Sequence, residues 1–573
     1  MDICGCPVRL TDIAWRCGMR LQLRRMSAPP DPLPPGVSAT GTAAEEKSAG
    51  VKTTGIVALA IMCSRVLGLI RELVFAALFA PGLRDCFTVA FRTPNMLRDL
   101  FAEGALSTAF VTVFSQKLKT EGEASAWQLA HRILSLTVVF MSGISILGVV
   151  LAPWIIGLLA SGWKNEQWKI PFTVSMAQIM FPFILLVSLA ALVMGILNSK
   201  RVYGVPAMAS SFFNIVSIIG GAGIGYLLDP SFGWKAMLGF CIGTLLGGLA
   251  QLGVQLPSLR KLGYRFEFSR NWSDPGVRRI LTLMGPAVIA GSAVQVNVLL
   301  NTIFASHLEV KDGPVSWLNY AFRLMQLPLG VFGVAVATVT LPVLSRVATE
   351  GITDKFRSVL GAGNRLVLFL TLPSAVGLFI LAEPIISLLY ERGKFTHYET
   401  LATAAALRWY AVGLVFYACI KVIQPAFTAI DRRFVPMYVA LGSIALNAAL
   451  NGYFVTHYPT RHDFLALSTA VIAATNFLLL YATMSRIAGG LETTKIVSML
   501  GKLIPAAALL GAVAWAGNHW LLQGWSGFGL LRRGVLLAGI VTGAGGIYFL
   551  AAGALKVDEA RQFLGILRRK VRR

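Results

Sequence analysis

Four arginines lie within or beside two long apolar stretches in the first part of the chain, where unpaired charge is costly. They are Arg65, Arg71, Arg92 and Arg98, all between residues 64 and 116. An arginine at the centre of a lone membrane-spanning helix costs about 2.5–3.5 kcal/mol on insertion scales. Several together predict a shared, water-filled and positively charged interior. A guanidinium makes forked contacts with phosphate oxygens, so this cluster suits recognition of a phosphate or diphosphate.

Carboxylates accompany these arginines and leave a second interpretation open. Glu72, Asp85, Asp99 and Glu103 lie in the same stretch, and the last two are four residues apart, on one face of a helix. The arginines could therefore form buried salt bridges that hold helices together without a ligand. The cations of this region are not fully matched by carboxylates, which favours a ligand.

The composition identifies the chain as a multi-pass membrane protein. It has 573 residues, of which 55% are hydrophobic and only 14% charged, with a mean hydropathy of +0.68. A soluble protein is about a quarter charged. The net charge of +24 comes from short basic clusters between apolar runs, which favours contacts with anionic lipid head groups over a nucleic-acid partner. The scattered cysteines and histidines have no metal-ligand spacing, so we expect no metal.

The predicted fold is all-α, with about fourteen transmembrane helices in two lobes around a central cationic cavity. Crossing about 30 Å of hydrocarbon takes roughly 20 residues, and fourteen apolar runs are long enough. Gly239, Gly243 and Gly247 form a G-x-x-x-G series that predicts close helix packing. The predicted spans are 54–80, 87–116, 131–160, 171–198, 204–228, 234–257, 277–306, 315–345, 357–390, 399–429, 434–456, 464–486, 494–521 and 527–552.

The distribution of basic residues predicts that both termini are cytoplasmic. Lysine and arginine concentrate in the loops after even-numbered spans and in the tail, 553–573. Arg532 and Arg533 are the exception, because this topology places them on the outer side. Residues 1–50 are predicted to be a disordered cytoplasmic extension, since their Pro-, Ser-, Ala- and Gly-rich part cannot bury enough apolar surface. An alternative is that Met26 is the true initiator.

An internal repeat adds a partner for the first arginines. Ala90-Phe91-Arg92 matches Ala321-Phe322-Arg323 at an offset of 231, and Pro206 matches Pro436 at an offset of 230. We therefore predict a first lobe at 51–270, a second at 271–490 and two further helices at 491–552. At 1.5 Å per residue, Arg323 lies at a depth similar to that of Arg98, so the candidate site is Arg65, Arg71, Arg98 and Arg323. Lys421 is a candidate for the cavity wall, or it snorkels to the interface.

The sequence carries no sign of covalent chemistry. There is no G-x-x-x-x-G-K-[ST] loop, and no large extramembrane segment to host catalysis. We expect a protein that is not an enzyme and has no cofactor. Any energy source is then the membrane potential, at about 2.3 kcal/mol per charge per 100 mV, or a coupled ion.

Several long motifs resemble the bacterial lipid II flippase family, within the multidrug/oligosaccharidyl-lipid/polysaccharide exporter superfamily. They are SRVLGLIRE at 64–72, the D-x-F-x-V-A-F-[KR]-x-P-N pattern from Asp85 to Asn95, LRDLFAEGALSTAF at 97–110, the stretch 301–346 and LYERGKFT at 389–396. The similarity covers about residues 51–560. It implies a fourteen-helix fold and a flippase in the bacterial inner membrane. The implied substrate is undecaprenyl-diphosphate-linked disaccharide pentapeptide, moved to the outer leaflet for peptidoglycan synthesis.

The resemblance also implies roles for individual residues. The family's essential cavity arginines fall on Arg65, Arg71, Arg98 and Arg323, its loop aspartate falls on Asp85, and the last two helices form a groove for the lipid tail. Supporting positions are Ser64, Glu72, Asp85, Arg92, Asn95, Glu103 and Lys421.

Two positions depart from the family's pattern. Many relatives have Asp at Phe322, so Arg323 is expected to be freer for phosphate, and many have a basic residue at Asp99, so charge beside Arg98 is lower.

Other functions remain open at this stage. A flippase for another polyprenyl-diphosphate-linked oligosaccharide fits the same residues, whereas a cavity rich in arginine would repel the cations that a drug exporter carries. A membrane glycosyltransferase would need a large outer loop with a catalytic carboxylate, and a scaffold would not need buried arginines. The expected partners are lipid II and membrane lipids, with cell-wall synthesis proteins as further candidates, and the expected state is a monomer.

Overall fold

The computed structural model of this chain describes residues 42–100, 106–310, 312–522, 524 and 527–561, but no side chain before residue 59. Every regular element in these ranges is a helix, which confirms the predicted all-α fold. The chain divides into two compact units, Met1–Ile56 and Val57–Arg573, and all packing described below belongs to the second.

A first set of helices runs to residue 261. Its members are α1 Thr42–Leu78, α2 Pro81–Leu97, α3 Ser107–Thr120, α4 Glu123–Leu159, α5 Lys169–Met180, α6 Phe183–Ser199, α7 Gly204–Leu228, α8 Trp234–Gly253 and the short α9 Leu256–Lys261.

A second set follows the connecting helix α10 Pro275–Ser306. Its members are α11 Pro314–Pro328, α12 Val334–Ala348, α13 Asp354–Ile380, α14 Ala382–Tyr390, α15 His397–Ala429, α16 Phe434–His457, α17 Asp463–Ile487, α18 Thr493–Ala516 and α19 Leu530–Ala554. A π-helical segment, Leu329–Gly333, joins α11 to α12.

The helix ends follow ordinary local rules. Proline occupies the first position of α2, α10 and α11, where its missing N–H breaks no intrahelical bond. The Asp274 side chain caps α10, and Thr396 with Glu399 forms a capping box at the start of α15. These helix-end interactions involve residues that are close in sequence, so they do not depend on how the helices pack.

Eleven helical segments in the described ranges are long and apolar enough to cross a membrane. The runs predicted at 54–80, 87–116 and 277–306 are not among them. The first lies in α1 and the third in α10, each of which includes residues whose side chains are outside the described part, and the second is divided between α2, which ends at Leu97, and α3, which begins at Ser107. The number fourteen therefore stays a prediction. The predicted span 357–390 is two helices, because α13 ends at Ile380 and α14 begins at Ala382.

The ends of the predicted domains are only partly described. Residues 42–50, within the range predicted to be disordered, are the first turns of α1, and residues 1–41 lie outside the described part. In the tail, residues 562–573 also lie outside it.

The glycine series on α8 packs closely against α7, as the spacing predicted. A Cβ on Gly239 would lie 2.8 Å from the Gly225 nitrogen, and one on Gly243 would collide with Gly221. Small residues thus let the two backbones approach, which is a common way for helices to associate in membranes.

Helix α10 contacts both sets. It packs against α3 and α4 of the first set and against α16 and α17 of the second. On the second side it carries two asparagines: Asn447 donates to the Asn297 side-chain oxygen at 2.7 Å, and Asn451 donates to that of Asn301 at 2.8 Å. Ser468 of α17 also donates to Asn451. We call this group the asparagine ladder.

The last two helices are fastened to the second set by an ionic contact. Arg365 of α13 pairs with Glu492, just before α18, at 2.5 Å, and with Glu559, just after α19, at 2.9 Å. Each of these side chains is at most 16% exposed. The α18–α19 hairpin is therefore held at its open end against α13.

Candidate functional site

An ion pair between the two helix sets lies at the centre of the predicted site. Glu72 of α1 is buried, and its Oε1 lies 2.7 Å from Nη1 of Arg323 in α11. The Arg323 side chain is still 44% exposed. Arg323 is therefore not as free as the Phe322 departure predicted, because Glu72 supplies the carboxylate from another helix. Phe322 itself packs its ring against Tyr410 at 5.3 Å.

Arg71 lies beside this pair. Its guanidinium carbon is 5.0 Å from the centroid of the Phe213 ring in α7. It is also close enough to Glu72, Arg323 and Arg98 for their charges to interact. The structure thus brings together three of the four predicted arginines, with the carboxylate of Glu72 among them.

Arg98 follows directly after α2, where Pro94 lies in the last turn and the helix changes to a π-helical turn at 98–100. Its guanidinium pairs with Asp99 at 2.8 Å, as the sequence suggested. Its backbone N–H donates to the carbonyl of the half-buried Asn95. Glu103, the other predicted partner, lies outside the described residues.

Arg92 belongs to the same group. It is one turn and a half before Arg98 on α2, and its charge interacts with Arg323, Asp99 and Tyr410. Its Nε is buried with no hydrogen-bond acceptor among the described residues. The sequence placed Arg92 only in a supporting position, because a one-dimensional repeat could not show that it faces Arg323.

Arg65 extends the group along the second set. Its Nη1 lies so close to Gly330 that a Cβ there would be 3.0 Å away. Gly330 is seven residues after Arg323, about 10 Å along the helix. The side chain of Arg65 is exposed, and the carbonyl of the preceding Ser64 accepts from Asn214 of α7 at 3.2 Å. Arg65 therefore faces the second set about two turns from Arg323.

Asp85 is buried away from the arginines and joins the two sets. Its carboxylate accepts the backbone N–H of Gly313 at 2.7 Å and that of Ser316 at 2.8 Å. These donors are at the start of α11, so Asp85 of α2 caps a helix of the other set. We call this end of the helices the Asp85 end. The predicted site residue therefore has a structural role between the sets.

Further polar contacts at the Asp85 end were not predicted. Arg84 pairs with Glu399 of α15, with side chains 0% and 2% exposed, and Trp317 also donates to Glu399, at 3.2 Å. Lys169 of α5 is fully buried and pairs with Asp312 at 2.8 Å. A single sequence gives no signal for these pairs, since their members are 82 to 315 residues apart. For Arg84, the only signal in the sequence was its position next to Asp85.

Lys421 lies apart from the arginine group. It lines a groove of about 510 Å³ between α12 and α15, together with Ser345, Gln424 and Thr428. Its side chain is exposed. The structure thus places Lys421 on a partly polar surface of the second set, on α15, whereas Arg323 is on α11.

A second groove is almost entirely apolar. It has a volume of about 580 Å³ and lies between α13 and α18. Gly511 and the alanines of α18 form its floor, and Trp515 lies at its end. The other lining residues are Leu372, Val376, Ile380, Ile504, Ala507, Ala508 and Ala512. A groove of this kind takes a hydrocarbon chain, since it offers apolar surface and few hydrogen-bonding groups.

The arginine group has an excess of positive charge. Five guanidiniums, those of Arg65, Arg71, Arg92, Arg98 and Arg323, lie near two described carboxylates, Glu72 and Asp99. Because Arg323 and Arg98 remain partly exposed, an anion can reach them. The arrangement suits an oxyanion with several charges, and the apolar groove between α13 and α18 suits a hydrocarbon chain.

Comparison with known proteins agrees with this chemistry. The profile of the family "Lipid II flippase MurJ" matches residues 74–536. A probable lipid II flippase MurJ from Rhizobium meliloti is 35% identical over 528 residues, covering 91% of this chain and 96% of that protein. The Burkholderia cenocepacia lipid II flippase MurJ is 33% identical, covering 85% and 94%.

Solved structures give the same result for the fold. A lipid II flippase MurJ in an inward closed conformation superposes with a TM-score of 0.67 and 25% identity, over 86% of this chain and 98% of that one. An inward-facing multidrug resistance transporter of the MATE family superposes with a TM-score of 0.60 at 15% identity, over 75% and 98%, which shows a shared fold alone. Since the family profile covers most of the chain and relatives above 30% identity align over nearly all of it, this multi-pass membrane protein belongs to the lipid II flippase MurJ family.

Proposed function

We propose that this chain is a flippase that moves lipid II, the undecaprenyl-diphosphate-linked peptidoglycan precursor, from the inner to the outer leaflet of the bacterial cytoplasmic membrane. The observation that carries the proposal is the group of five arginines held between the two helix sets. Family membership supports the same substrate. No bond is made or broken, so the protein acts as a transporter.

The topology proposed here follows from the basic residues. Loops at the end opposite Asp85 contain most of the lysines and arginines, for example Arg260, Lys261, Arg265 and Arg270. The positive-inside rule therefore makes that end cytoplasmic, with both termini on the same side, and makes the Asp85 end external.

This orientation makes the present arrangement an inward-facing one. The polar contacts of Arg84, Asp85 and Lys169 join the two sets at the external end, whereas Arg65 and Arg323 are exposed. Lipid II then enters from the cytoplasmic side, and its diphosphate binds between the arginines. Transport requires that the external contacts break and that the sets separate there, which is alternating access.

The ion pair of Glu72 with Arg323 gives binding a route to conformational change. An empty site satisfies Arg323 with the carboxylate, and a diphosphate competes for the same guanidinium donors. When phosphate oxygens replace Glu72, the link between α1 and α11 is released. A ligand shifts an equilibrium only by its differential contacts with the two states, and this exchange provides such a difference.

The lipid tail needs a separate path, because fifty-five carbons of hydrocarbon would not be stable among arginines. The apolar groove between α13 and α18 provides that surface. The tail can remain there beside the bilayer while the polar head crosses between the helix sets. Coupling to the membrane potential or an ion is a further part of the proposal, since this chain has no nucleotide-binding loop.

Depletion of the protein in its host tests the proposal. We expect lipid II to accumulate on the cytoplasmic side and to become inaccessible to a probe confined to the outer leaflet. Lipid II that still reaches the outside at the normal rate would refute the flippase assignment. Accumulation of a different polyprenyl-diphosphate oligosaccharide, with normal lipid II, would identify the alternative substrate.

Two arginine variants test the site. Arg98→Ala and Arg323→Ala should each abolish complementation of the depleted strain, while the protein still inserts and folds. Arg432→Ala is the matched control, because Arg432 is an exposed arginine in a loop far from the group. Growth of the Arg323→Ala strain at the wild-type rate would show that Arg323 is not needed for transport and has only a structural role.

A further inference from the structure

Two ion pairs join the helix sets at different depths, and each leaves buried polar atoms without a partner. The inner pair is Glu72 with Arg323, in the arginine group, and the outer pair is Arg84 with Glu399, at the Asp85 end. Oε2 of Glu72 and two nitrogens of Arg84, Nε and Nη1, are buried and form no hydrogen bond within the described part of the chain. Buried polar groups are nearly always hydrogen-bonded, so these atoms need a further partner.

Two buried tyrosines lie between these pairs. Tyr320 of α11 is 2% exposed and Tyr390, at the end of α14, is 1% exposed, with their ring centroids 4.8 Å apart. Phe395 packs against both rings, and its own ring lies 5.0 Å from the guanidinium carbon of Arg84. Both hydroxyls are within electrostatic range of Glu72, and that of Tyr320 is also beside Arg84. The tyrosines therefore occupy the space between the inner and the outer pair.

One face of α11 sets the distance between the pairs. Trp317, Tyr320 and Arg323 follow one another at three-residue intervals, so they are neighbours on the helix surface. Trp317 donates to Glu399 of the outer pair at 3.2 Å, and Arg323 belongs to the inner pair. The two pairs are therefore about 9 Å apart along the helix, with Tyr320 midway. No single hydrogen bond spans that distance.

The unpartnered atoms require a molecule that both donates and accepts hydrogen bonds. Oε2 of Glu72 accepts, whereas the nitrogens of Arg84 only donate. A cation would suit the carboxylate but not the guanidinium, and an anion would suit the guanidinium but not the carboxylate. Water suits both, and a buried water typically makes about three hydrogen bonds to groups of this kind. The hydroxyls of Tyr320 and Tyr390, which also form no hydrogen bond of normal geometry among the described residues, supply further contacts for it.

We propose that ordered water binds between Glu72, Tyr390 and Tyr320 and completes a buried chain of hydrogen bonds from the inner pair to the outer pair. Arg84 donates to the Tyr320 hydroxyl, and that hydroxyl donates to water. Water and the Tyr390 hydroxyl both donate to Oε2 of Glu72. Every donor and acceptor along the chain then has a partner of the correct kind.

This chain gives cargo binding an effect at the external end, a step that rests on the proposed function. When a diphosphate displaces Glu72 from Arg323, both oxygens of the Glu72 carboxylate need other donors. Water and Tyr390 are the donors beside it, so they bind Glu72 more closely and the contact of Tyr320 with Arg84 weakens. Tyr320 and Tyr390 are therefore positioning residues for separation of the helix sets.

Cryo-electron microscopy of the full-length protein in nanodiscs tests the water site without cargo. At a resolution that shows ordered water, we expect density about 2.5–3.0 Å from Oε2 of Glu72 and from the Tyr390 hydroxyl. Tyr390→Phe should lose this density. Tyr264→Phe is the matched control and should keep it, because Tyr264 is also a buried tyrosine whose hydroxyl has no partner in the described residues, but it stacks on His131 in the first set. A wild-type map with ordered water elsewhere and none here, or with Tyr390 bonded directly to Glu72, would overturn the proposal.

Cargo-dependent labelling tests the link to the external end. Ser316→Cys places a thiol at the buried start of α11, after the cysteines at positions 4, 6, 17 and 63 are replaced by serine. Saturating undecaprenyl diphosphate should raise the rate at which this thiol reacts with a membrane-impermeant maleimide. Tyr320→Phe with Tyr390→Phe should make the rise about fivefold smaller, the effect of one lost hydrogen bond, and Tyr264→Phe should leave it unchanged.

The labelling outcomes separate this link from the proposed function. An undiminished rise in the Tyr320→Phe/Tyr390→Phe protein would overturn the link. A wild-type rate that does not respond to undecaprenyl diphosphate would contradict the proposed function instead, whereas the water site is decided by the density alone.

Discussion

At the scale of single residues, Glu72 occupies the place at Arg323 that a phosphate would take. The two oxygens of a carboxylate and those of a phosphate accept from the same guanidinium donors. Because Arg323 is 44% exposed and Glu72 is only 8% exposed, the arginine is the partner that a ligand can reach. In the proposed cycle, Glu72 therefore partly neutralises the cationic site before cargo binds.

Replacing Glu72 should strengthen binding of the cargo's head. In Glu72→Gln the amide no longer competes with phosphate for Arg323, and a partly exposed ion pair is worth about 1 kcal/mol, or about fivefold in affinity. We expect a fivefold lower dissociation constant for undecaprenyl diphosphate in nanodiscs, with slower transport. Glu350→Gln, an exposed loop change, serves as control. An unchanged dissociation constant would show that Glu72 does not compete with the ligand.

The buried pair of Arg84 and Glu399 gives a test of the external contacts. Glu399→Gln leaves a guanidinium fully buried without its carboxylate, which costs about 3–5 kcal/mol. We expect a clear fall in the thermal unfolding midpoint of the detergent-solubilised protein, and a smaller fall for Arg84→Gln, since Trp317 still donates to Glu399. The double variant should recover part of the loss. Additive losses would mean that the two side chains do not interact.

Sequence reasoning found the arginines but not all of their partners. Arg65, Arg71, Arg98 and Arg323 stood out because charge in an apolar run is costly, and this signal needs no structure. Asp85 was identified as important, yet its role as a cap on α11 could not be inferred, since its donors are 228 and 231 residues away. The same limit applies to Glu72 and Arg323. Contacts across the sets depend on three-dimensional packing that one sequence does not encode locally.

At the scale of elements, a residue of the first helix set stabilises the first turn of α11. Its own N-cap residue is Gly313, with no side-chain cap, and two of its first N–H groups are satisfied by Asp85. The start of this helix is therefore more stable when the two sets are in contact at the Asp85 end. The Asp85 carboxylate therefore links the stability of the first turn of α11 to the contact between the two helix sets.

Asp85→Ala should shift the conformational equilibrium toward an open external end. The change removes two hydrogen bonds to buried N–H groups, and loss of a helix cap costs about 0.5–2 kcal/mol. We expect faster labelling, by a membrane-impermeant maleimide, of a cysteine that replaces the buried Ser316. Glu309→Ala, an exposed change in the segment between α10 and α11, is the control. Equal labelling rates in the two proteins would exclude the link.

The ionic contact that holds the α18–α19 hairpin should depend on pH. Burial raises the pKa of Glu492, but hydrogen bonds from Lys495 and Arg365 outweigh it and hold this pKa below its usual value of 4.5. The stabilisation is therefore complete above the unfolded-state pKa and is lost as pH falls below about 4.5. We expect the thermal midpoint of the wild type to fall more than that of Glu492→Gln between pH 6 and pH 3.5. Parallel curves would assign the acid sensitivity to other groups.

Element boundaries were predictable where periodicity and caps were strong. The spans from α15 to α17 begin and end within a few residues of prediction, because long apolar runs are bounded by capping and basic residues. The end of α2 at Leu97 was not predicted. It lies three residues after Pro94, which lacks a backbone N–H, and a π-helical turn follows at 98–100.

At the scale of the whole molecule, separation of the external ends is required for transport in the proposed cycle. Lys394 of the second set donates to the carbonyls of Ser231, at 2.6 Å, and Phe232, at 3.0 Å, in the first. Both Lys394 and Ser231 are exposed, so they are accessible to reagents. A crosslink across this contact would therefore hold the two helix sets together at this end.

Crosslinking across this contact should stop lipid II export. Ser231→Cys and Lys394→Cys, in a protein whose Cys63, Cys4, Cys6 and Cys17 are replaced by serine, can be joined by a short cleavable bifunctional reagent. We expect loss of outer-leaflet lipid II on crosslinking and recovery on cleavage. Each single-cysteine protein is the control for modification alone. Continued export by the crosslinked protein would contradict an opening of the external end.

The asparagine ladder limits how α10 can move. Asn297 and Asn301 bond to Asn447 and Asn451, so the rungs are one helical turn apart on both helices. A small slide of α10 along α16 would break both amide rungs and leave Asn297 and Asn301 without these partners, although Asn451 would keep its contacts with Asn447 and Ser468. A slide of a full turn would pair one rung again, about 6 Å away. The ladder therefore favours positions of α10 that differ by one helical turn along α16. It permits whole-turn steps and resists intermediate ones, so this half of α10 keeps its register with the second set.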